Sequence, residues 1–196
     1  MDFVAACYRT FVPRLIPAQE GGAIPPSIAV IGPSGEDIDP AVADAAARVG
    51  ALIAQAGAIL VCGGGTGAMA AACRGANEAG GVTVGILPGV SREEANPWVS
   101  IAIPTGMGEA RNALVVRAGD AVIAVGGGVG TLSEIALALK MGRPVIGLGT
   151  WEARLPPFGG EGPEVGLAVH RASSAEGAVA AALGAEPRSQ TSEPNE

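Results

Sequence analysis

Two residue types in this chain could do chemistry together: the carboxylate of Glu134 and the guanidinium of Arg111. A carboxylate can take a proton from an attacking water or stabilise positive charge that develops in a transition state. A guanidinium can hold a phosphate or orient a carboxylate. Glu134 closes the run VGGGVGTLSE (125–134), in which glycines follow an apolar segment and give way at once to helix-forming sequence. A second run of this kind, Gly63-Gly64-Gly65-Thr66-Gly67, follows the apolar segment AILVC. Glycine lets a backbone approach a ligand closely, and a helix start adds free N–H donors and the positive end of a dipole. Gly63, Gly64, Gly65, Thr66, Gly67, Gly127, Gly128, Val129, Gly130 and Thr131 are therefore candidate phosphate contacts, with Gly32 and Ser34 from the loop after SIAVI. The plainer alternative is that the glycines only turn the chain from strand to helix. Thr131-Leu132-Ser133-Glu134 also has the S/T-x-x-E spacing of a capping box, a structural role sufficient for Glu134 by itself.

The glycines narrow the ligand class. Gly63, Gly65 and Ala68 fit a G-x-G-x-x-A form of the dinucleotide fingerprint, but the next strand ends Ile86-Leu87-Pro88-Gly89 without the acidic residue that fingerprint expects. No G-x-x-x-x-G-K-[ST] occurs, so an NTPase P-loop is excluded. Trp98 and Trp151 read as packing residues, and the single histidine, His170, as structural or exposed. No metal-ligand spacing is present.

Positioning these residues requires strands that end at the glycines. Short apolar runs at 27–32, 58–62, 82–87, 98–104, 121–125 and 144–149 alternate with helical spacing at 40–56, 67–79, 108–118, 131–141 and 175–183, with a short edge strand expected around 165–169. Asp39 and Pro40 read as the cap and first turn of the first helix. Continuous apolar strands alternating with helices imply an α/β fold, a doubly wound, Rossmann-like parallel sheet covered on both faces. In such sheets ligands bind beyond the C-terminal strand ends, where strand order reverses. One domain is expected over 27–184, after a loosely ordered, proline-rich extension (1–26) and before a polar tail (185–196).

Composition bounds the rest. The formal net charge is −7 with 12 basic residues spread thinly, which argues against a nucleic-acid partner. An anionic small ligand held by backbone N–H groups remains open. The N-terminus lacks the basic start of a signal peptide, and no apolar run is long enough to span a membrane. Cys7, Cys62 and Cys73 are an odd number and read as buried free thiols, so a cytoplasmic protein is expected.

Arg111, Asp120 and GGGVGTLSE together resemble, in order and spacing, the Lonely Guy family of cytokinin riboside 5′-monophosphate phosphoribohydrolases, long labelled lysine decarboxylases. The resemblance covers about 27–150. It implies hydrolysis of an AMP-like nucleotide to free base and ribose 5-phosphate, with Arg111 and Glu134 matching the catalytic pair and no cofactor required. GGGTGAM, AGGVTVGILPG and TGMGEARN look like the branch that includes molybdenum cofactor carrier proteins. That branch implies a non-catalytic alternative, a carrier of molybdenum cofactor or a related phosphorylated pterin. Three residues depart from the hydrolase pattern: Gly126 stands for the motif proline, Ser133 for a glutamate and Asn112 for a lysine. The family resemblance also implies a homodimer or higher oligomer. Pyridoxal phosphate chemistry needs a lysine for its Schiff base. The single lysine, Lys140, lies away from both glycine clusters, so a decarboxylase is excluded.

Overall fold

A computed structural model of the chain describes residues 24–151, 154–155 and 167–185. The elements run β1 (Ser27–Ile31), α1 (Pro40–Gln55), β2 (Ile59–Cys62), α2 (Ala68–Glu78), β3 (Thr83–Leu87), β4 (Ile101–Pro104), α3 (Asn112–Ala118), β5 (Ala121–Val125), α4 (Val129–Lys140), β6 (Val145–Leu148), β7 (Arg154–Leu155), β8 (Leu167–Ala168), β9 (His170–Ala172) and α5 (Ala175–Leu183). Seven strands form one parallel sheet in the order β4-β3-β2-β1-β5-β6-β9, and β7 pairs with β8 in a separate antiparallel pair. The fold is the expected Rossmann-like α/β architecture. After β4 at one edge the chain returns to place β5 beside β1, so strand order reverses between those two strands.

Both faces of the sheet are apolar because both are covered. Ile28, Val30, Leu60, Cys62, Ile123 and Val125 face α1, α2 and α5, while Ala29, Ile31, Val61, Val122 and Ala124 face α3 and α4. Alternate residues of one strand thus enter opposite cores, which is why the strands read as continuous apolar runs. α1 and α2 touch backbone to backbone: a Cβ on Gly50 would run into the Ala72 carbonyl, and one on Gly75 into that of Ala47. Small residues at this contact account for a core built with few aromatics. Asp39 caps α1 as expected, its carboxylate accepting from the Ala41 N–H at 2.9 Å.

Four local expectations are corrected. The strand expected over 98–104 begins only at Ile101. Before it, Trp98 and Ser100 are held across to Thr83, whose hydroxyl donates to the Trp98 carbonyl (2.7 Å) and accepts from the Ser100 N–H (2.8 Å). The helix expected over 108–118 opens as a 3₁₀ turn, Gly108–Arg111, and becomes α-helical at Asn112. The edge strand expected around 165–169 comes later, as β9 (His170–Ala172) beside β6, while the expected range holds β8, which pairs with β7 outside the main sheet. The helix expected from Thr131 begins at Val129. Nearly all of the expected N-terminal extension and polar tail lies outside the described residues, as does Cys7. Among the described residues no helix is long and apolar enough to cross a membrane.

Candidate functional site

A cavity of about 390 Å³ opens at the C-terminal ends of β1 and β5, where the strand order reverses. Its volume falls within the range of small-molecule sites. Of the residues singled out from sequence, Gly32, Ser34, Gly63, Arg111, Gly128, Val129, Gly130, Thr131 and Glu134 all line it. Arg111 and Glu134 both reach it, one from the start of α3 and the other from α4, helices that pack together on the same face of the sheet.

The start of α4 decides what Glu134 does for the helix. The N-cap is Gly128, with extended backbone and no side-chain cap, and the helix begins at Val129. Thr131 is then the third helical residue and Glu134 the sixth, so the expected capping box does not form. The physical reason is that glycine at the cap adopts the required backbone without a side-chain acceptor, and the helix starts one half-turn early. The amide groups of the first turn have no intrahelical acceptor. Gly128, Val129, Gly130 and Thr131 line the cavity, and just beneath its wall the Thr131 hydroxyl, in a residue 2% exposed, has no hydrogen-bond partner. An uncapped helix start with an unpartnered hydroxyl is an arrangement suited to an anion.

Gly126 explains one departure noted in the sequence. Its φ is +65°, and its N–H donates to the Leu148 carbonyl at 3.0 Å. Proline fixes φ near −65° and has no N–H, so the motif proline cannot stand on this backbone.

Arg111 ends the 3₁₀ turn and stands at the cap position just before α3, and its guanidinium lies over the α-carbon of Gly63. A Cβ there would fall 2.7 Å from both terminal nitrogens and 2.8 Å from the Met69 sulfur. Gly63 is a glycine because the arginine occupies the place of its side chain. Nη1 of Arg111 donates to the Asn112 side-chain oxygen at 2.6 Å, and Nε is buried without a partner. Asn112, where the family pattern has a lysine, therefore orients the guanidinium in place of a second cation.

Glu134 is 8% exposed. Burial pushes its carboxyl from an ordinary 4.5 up to about 7, against the opposing pull of Arg111. At neutral pH the group is shared between acid and base forms, as proton transfer requires.

The first glycine cluster is placed differently. Only Gly63 reaches the cavity. The Gly64 carbonyl accepts from both the backbone and side-chain amides of Asn96 (2.8 and 3.1 Å), and the Gly65 carbonyl from the Asn96 side chain (2.9 Å). Thr66 accepts from the Gly35 N–H at 3.2 Å, and the first amide of α2, Ala68, donates to the Pro33 carbonyl at 3.0 Å. Thr66 and Gly67 line a separate depression with Trp98 and Arg74, and Gly127 packs against the Trp151 ring. Met69, Pro88, Glu109 and Asn112 line the main cavity but were not singled out from sequence as ligand contacts. Asn96 was missed as well. Its role depends on a contact across 32 residues that no local pattern signals. Among the described residues no group of three His, Cys, Asp or Glu side chains is placed to hold a metal.

With this geometry in place, the relatives can be weighed. The SLOG cluster4 family matches the chain over residues 25–179. The chain belongs to the SLOG cluster4 family. It is 38% identical over 115 residues to a cytokinin riboside 5′-monophosphate phosphoribohydrolase of Mycobacterium tuberculosis, covering 54% of this chain and 62% of that one. Two solved structures share its fold over nearly their whole length. The molybdenum cofactor binding protein of Rippkaea orientalis is 38% identical with a TM-score of 0.68, covering 80% of this chain and 94% of that one. The molybdenum cofactor carrier protein of Chlamydomonas reinhardtii is 37% identical with a TM-score of 0.68, covering 82% and 97%. The chain spans 62–66% of the length of the curated relatives it matches.

Proposed function

We propose that this SLOG protein is a nucleoside 5′-monophosphate phosphoribohydrolase. The observation that carries the reading is the meeting of Arg111 and Glu134 in one cavity with the uncapped start of α4. The first-turn amides and the Thr131 hydroxyl hold the 5′-phosphate. Glu134, buried beside that anion, takes a proton from water as its oxygen bonds to C1′ of the ribose. The C1′–N bond breaks, its electron pair leaves on the base nitrogen, and the proton passes on to that nitrogen. Before ionisation is complete, the carboxylate also stabilises the oxocarbenium-like charge on the sugar. Arg111, fixed by Gly63 and Asn112, orients the phosphate or the carboxylate. The 38% identity to a phosphoribohydrolase supports the reading.

A second reading is a carrier that binds a phosphorylated pterin without turnover. It is favoured by the near-complete coverage of the two molybdenum cofactor proteins and by Asn112 in place of a lysine. The same unpartnered Thr131 hydroxyl and helix start would receive the phosphate of that cofactor. The chain's part would be to bind and shield it.

Chromatography of the products after incubation with AMP separates the readings. Adenine release by the wild type, lost in Glu134→Gln while AMP binding persists, is the expected result. Unchanged AMP, bound or free, in the wild-type reaction would overturn hydrolysis of this nucleotide and favour the carrier.

A further inference from the structure

Glu109 lines the cavity, yet neither reading uses it. The end of β3 fixes its place. The Gly106 N–H donates to the Gly89 carbonyl at 2.8 Å, the Gly108 N–H to the Pro88 carbonyl at 2.9 Å, and the Thr105 hydroxyl to the Leu87 carbonyl at 2.7 Å. Glu109 follows at once in the 3₁₀ turn Gly108–Arg111. Its side chain has no hydrogen-bond or ion-pair partner among the described residues, and Arg111, two residues on, gives its Nη1 to Asn112 instead. A free carboxylate thus stands at one end of a cavity whose other end suits an anion.

The two ends are separated by the width of the sheet between them. α4 starts after β5, Arg111 lies over Gly63 at the end of β2, and Pro88 follows β3. From β5 through β1 and β2 to β3 is three strand spacings, about 14 Å. A nucleoside 5′-monophosphate with its phosphate on the first turn of α4 would bring C1′ to Glu134 and Arg111 in mid-cavity, and its base toward Met69, Pro88 and Glu109, which all line the site. A thioether packs well against a flat ring. At the rim of that ring the carboxylate offers acceptors only.

We propose that Glu109 reads the edge of the ligand's ring, so that the cavity prefers a ring with two adjacent N–H donors, the amino-oxo edge shared by guanine and pterins, over adenine. The ring N–H and the exocyclic amino group of such an edge donate in parallel to the two carboxylate oxygens, the paired geometry that makes bidentate carboxylate contacts strong. Adenine presents one amino group beside an unprotonated ring nitrogen, whose lone pair faces the second oxygen. The inference rests on the phosphate being held at the start of α4, as both readings above have it, and not on turnover. Ribose hydroxyls can also donate to Glu109, but AMP and GMP share them, and they cancel in a comparison of the two.

The test is calorimetric titration of the full chain carrying Glu134→Gln, in which cleavage is expected to be absent, with GMP, IMP, AMP and a pterin bearing a phosphomethyl group. GMP is expected to bind about tenfold or more tightly than AMP, with IMP, which lacks the amino group, between them. Glu109→Gln in the same background replaces one acceptor by a donor, the pattern that pairs with adenine. It is expected to weaken GMP about tenfold and to strengthen AMP, a reversal that a merely structural role would not produce. The phosphomethyl pterin is expected to follow GMP in both proteins, and whichever of the two binds more tightly identifies the source of the edge. Equal affinities for GMP and AMP, or an unchanged ratio in Glu109→Gln, would overturn the proposal. Failure of the hydrolytic reading looks different: the wild type then releases no base from either nucleotide while the preference for GMP stands. Binding of none of the four ligands would overturn both.

Discussion

Glu134 should weaken the fold at neutral pH, and Glu134→Gln should therefore stabilise it. The carboxyl is buried, and that burial raises it from 4.5 to about 7 against the pull of Arg111. In the unfolded chain the group ionises near its ordinary value; in the folded protein it ionises only near 7. Below pH 4.5 both states hold the proton and Glu134 has no pH-linked effect. Between 4.5 and 7 the unfolded state loses the proton first, so folding stability falls; above 7 the loss is complete. At about 1.4 kcal/mol per pH unit, that interval corresponds to about 3 kcal/mol. The attraction of Arg111 is already contained in this figure, because it is what keeps the carboxyl from rising further. Glutamine carries no titrating proton and escapes the penalty. Urea denaturation of the two proteins from pH 4 to 8.5 should give nearly equal stabilities at pH 4.5 and a gap that widens to about 3 kcal/mol in favour of Glu134→Gln at pH 8. A gap independent of pH would mean that the carboxyl ionises alike in both states, and a variant less stable at pH 8 would mean that the carboxylate supports the fold; either result would refute the reasoning. A capping role alone predicts little change, because glutamine can also reach back to a cap N–H. The same experiment shows that loss of adenine release in Glu134→Gln is not a loss of folding.

Two further substitutions follow from atoms without partners and from backbone shape. Thr131→Val removes a buried hydroxyl that has no hydrogen-bond partner among the described residues. Thermal stability is expected to hold or to rise by up to about 1 kcal/mol, while the affinity for inorganic phosphate, read by calorimetry, falls about tenfold. Loss of stability with phosphate binding intact would place the hydroxyl in the fold rather than in the site. Gly126→Pro demands a φ of the wrong sign and removes the N–H bonded to Leu148, so it should cost about 3 kcal/mol or more in a urea melt. A Gly126→Pro protein as stable as the wild type would show that this loop readily takes the proline form of the family motif.

The fold was legible because each strand is buried on both faces and so writes itself as an unbroken apolar run between helical stretches. The position of the cavity followed from the same pattern, since alternating strands and helices imply a sheet whose order reverses. Less legible was the division of labour between two glycine clusters that look alike in sequence. Both are glycine runs between a strand and a helix, yet one has its carbonyls held by Asn96 and its helix start held by the Pro33 carbonyl, while the other leaves its helix start free. That difference rests on partners distant in the chain, which local spacing cannot report. The capping box at Thr131 failed for a related reason. The motif spacing is present, but Gly128 takes the cap position, the helix starts earlier, and Glu134 turns inward beneath Arg111. A spacing that satisfies two roles is resolved only by where the helix begins. Here a cap three residues earlier, at Gly128 rather than Thr131, takes the carboxylate from a capping position to the wall of the cavity. The cysteines make the same point in reverse: nothing in the spacing of Cys62 and Cys73 marks them as a pair, and only the packing of α2 on β2 brings their sulfur atoms into contact.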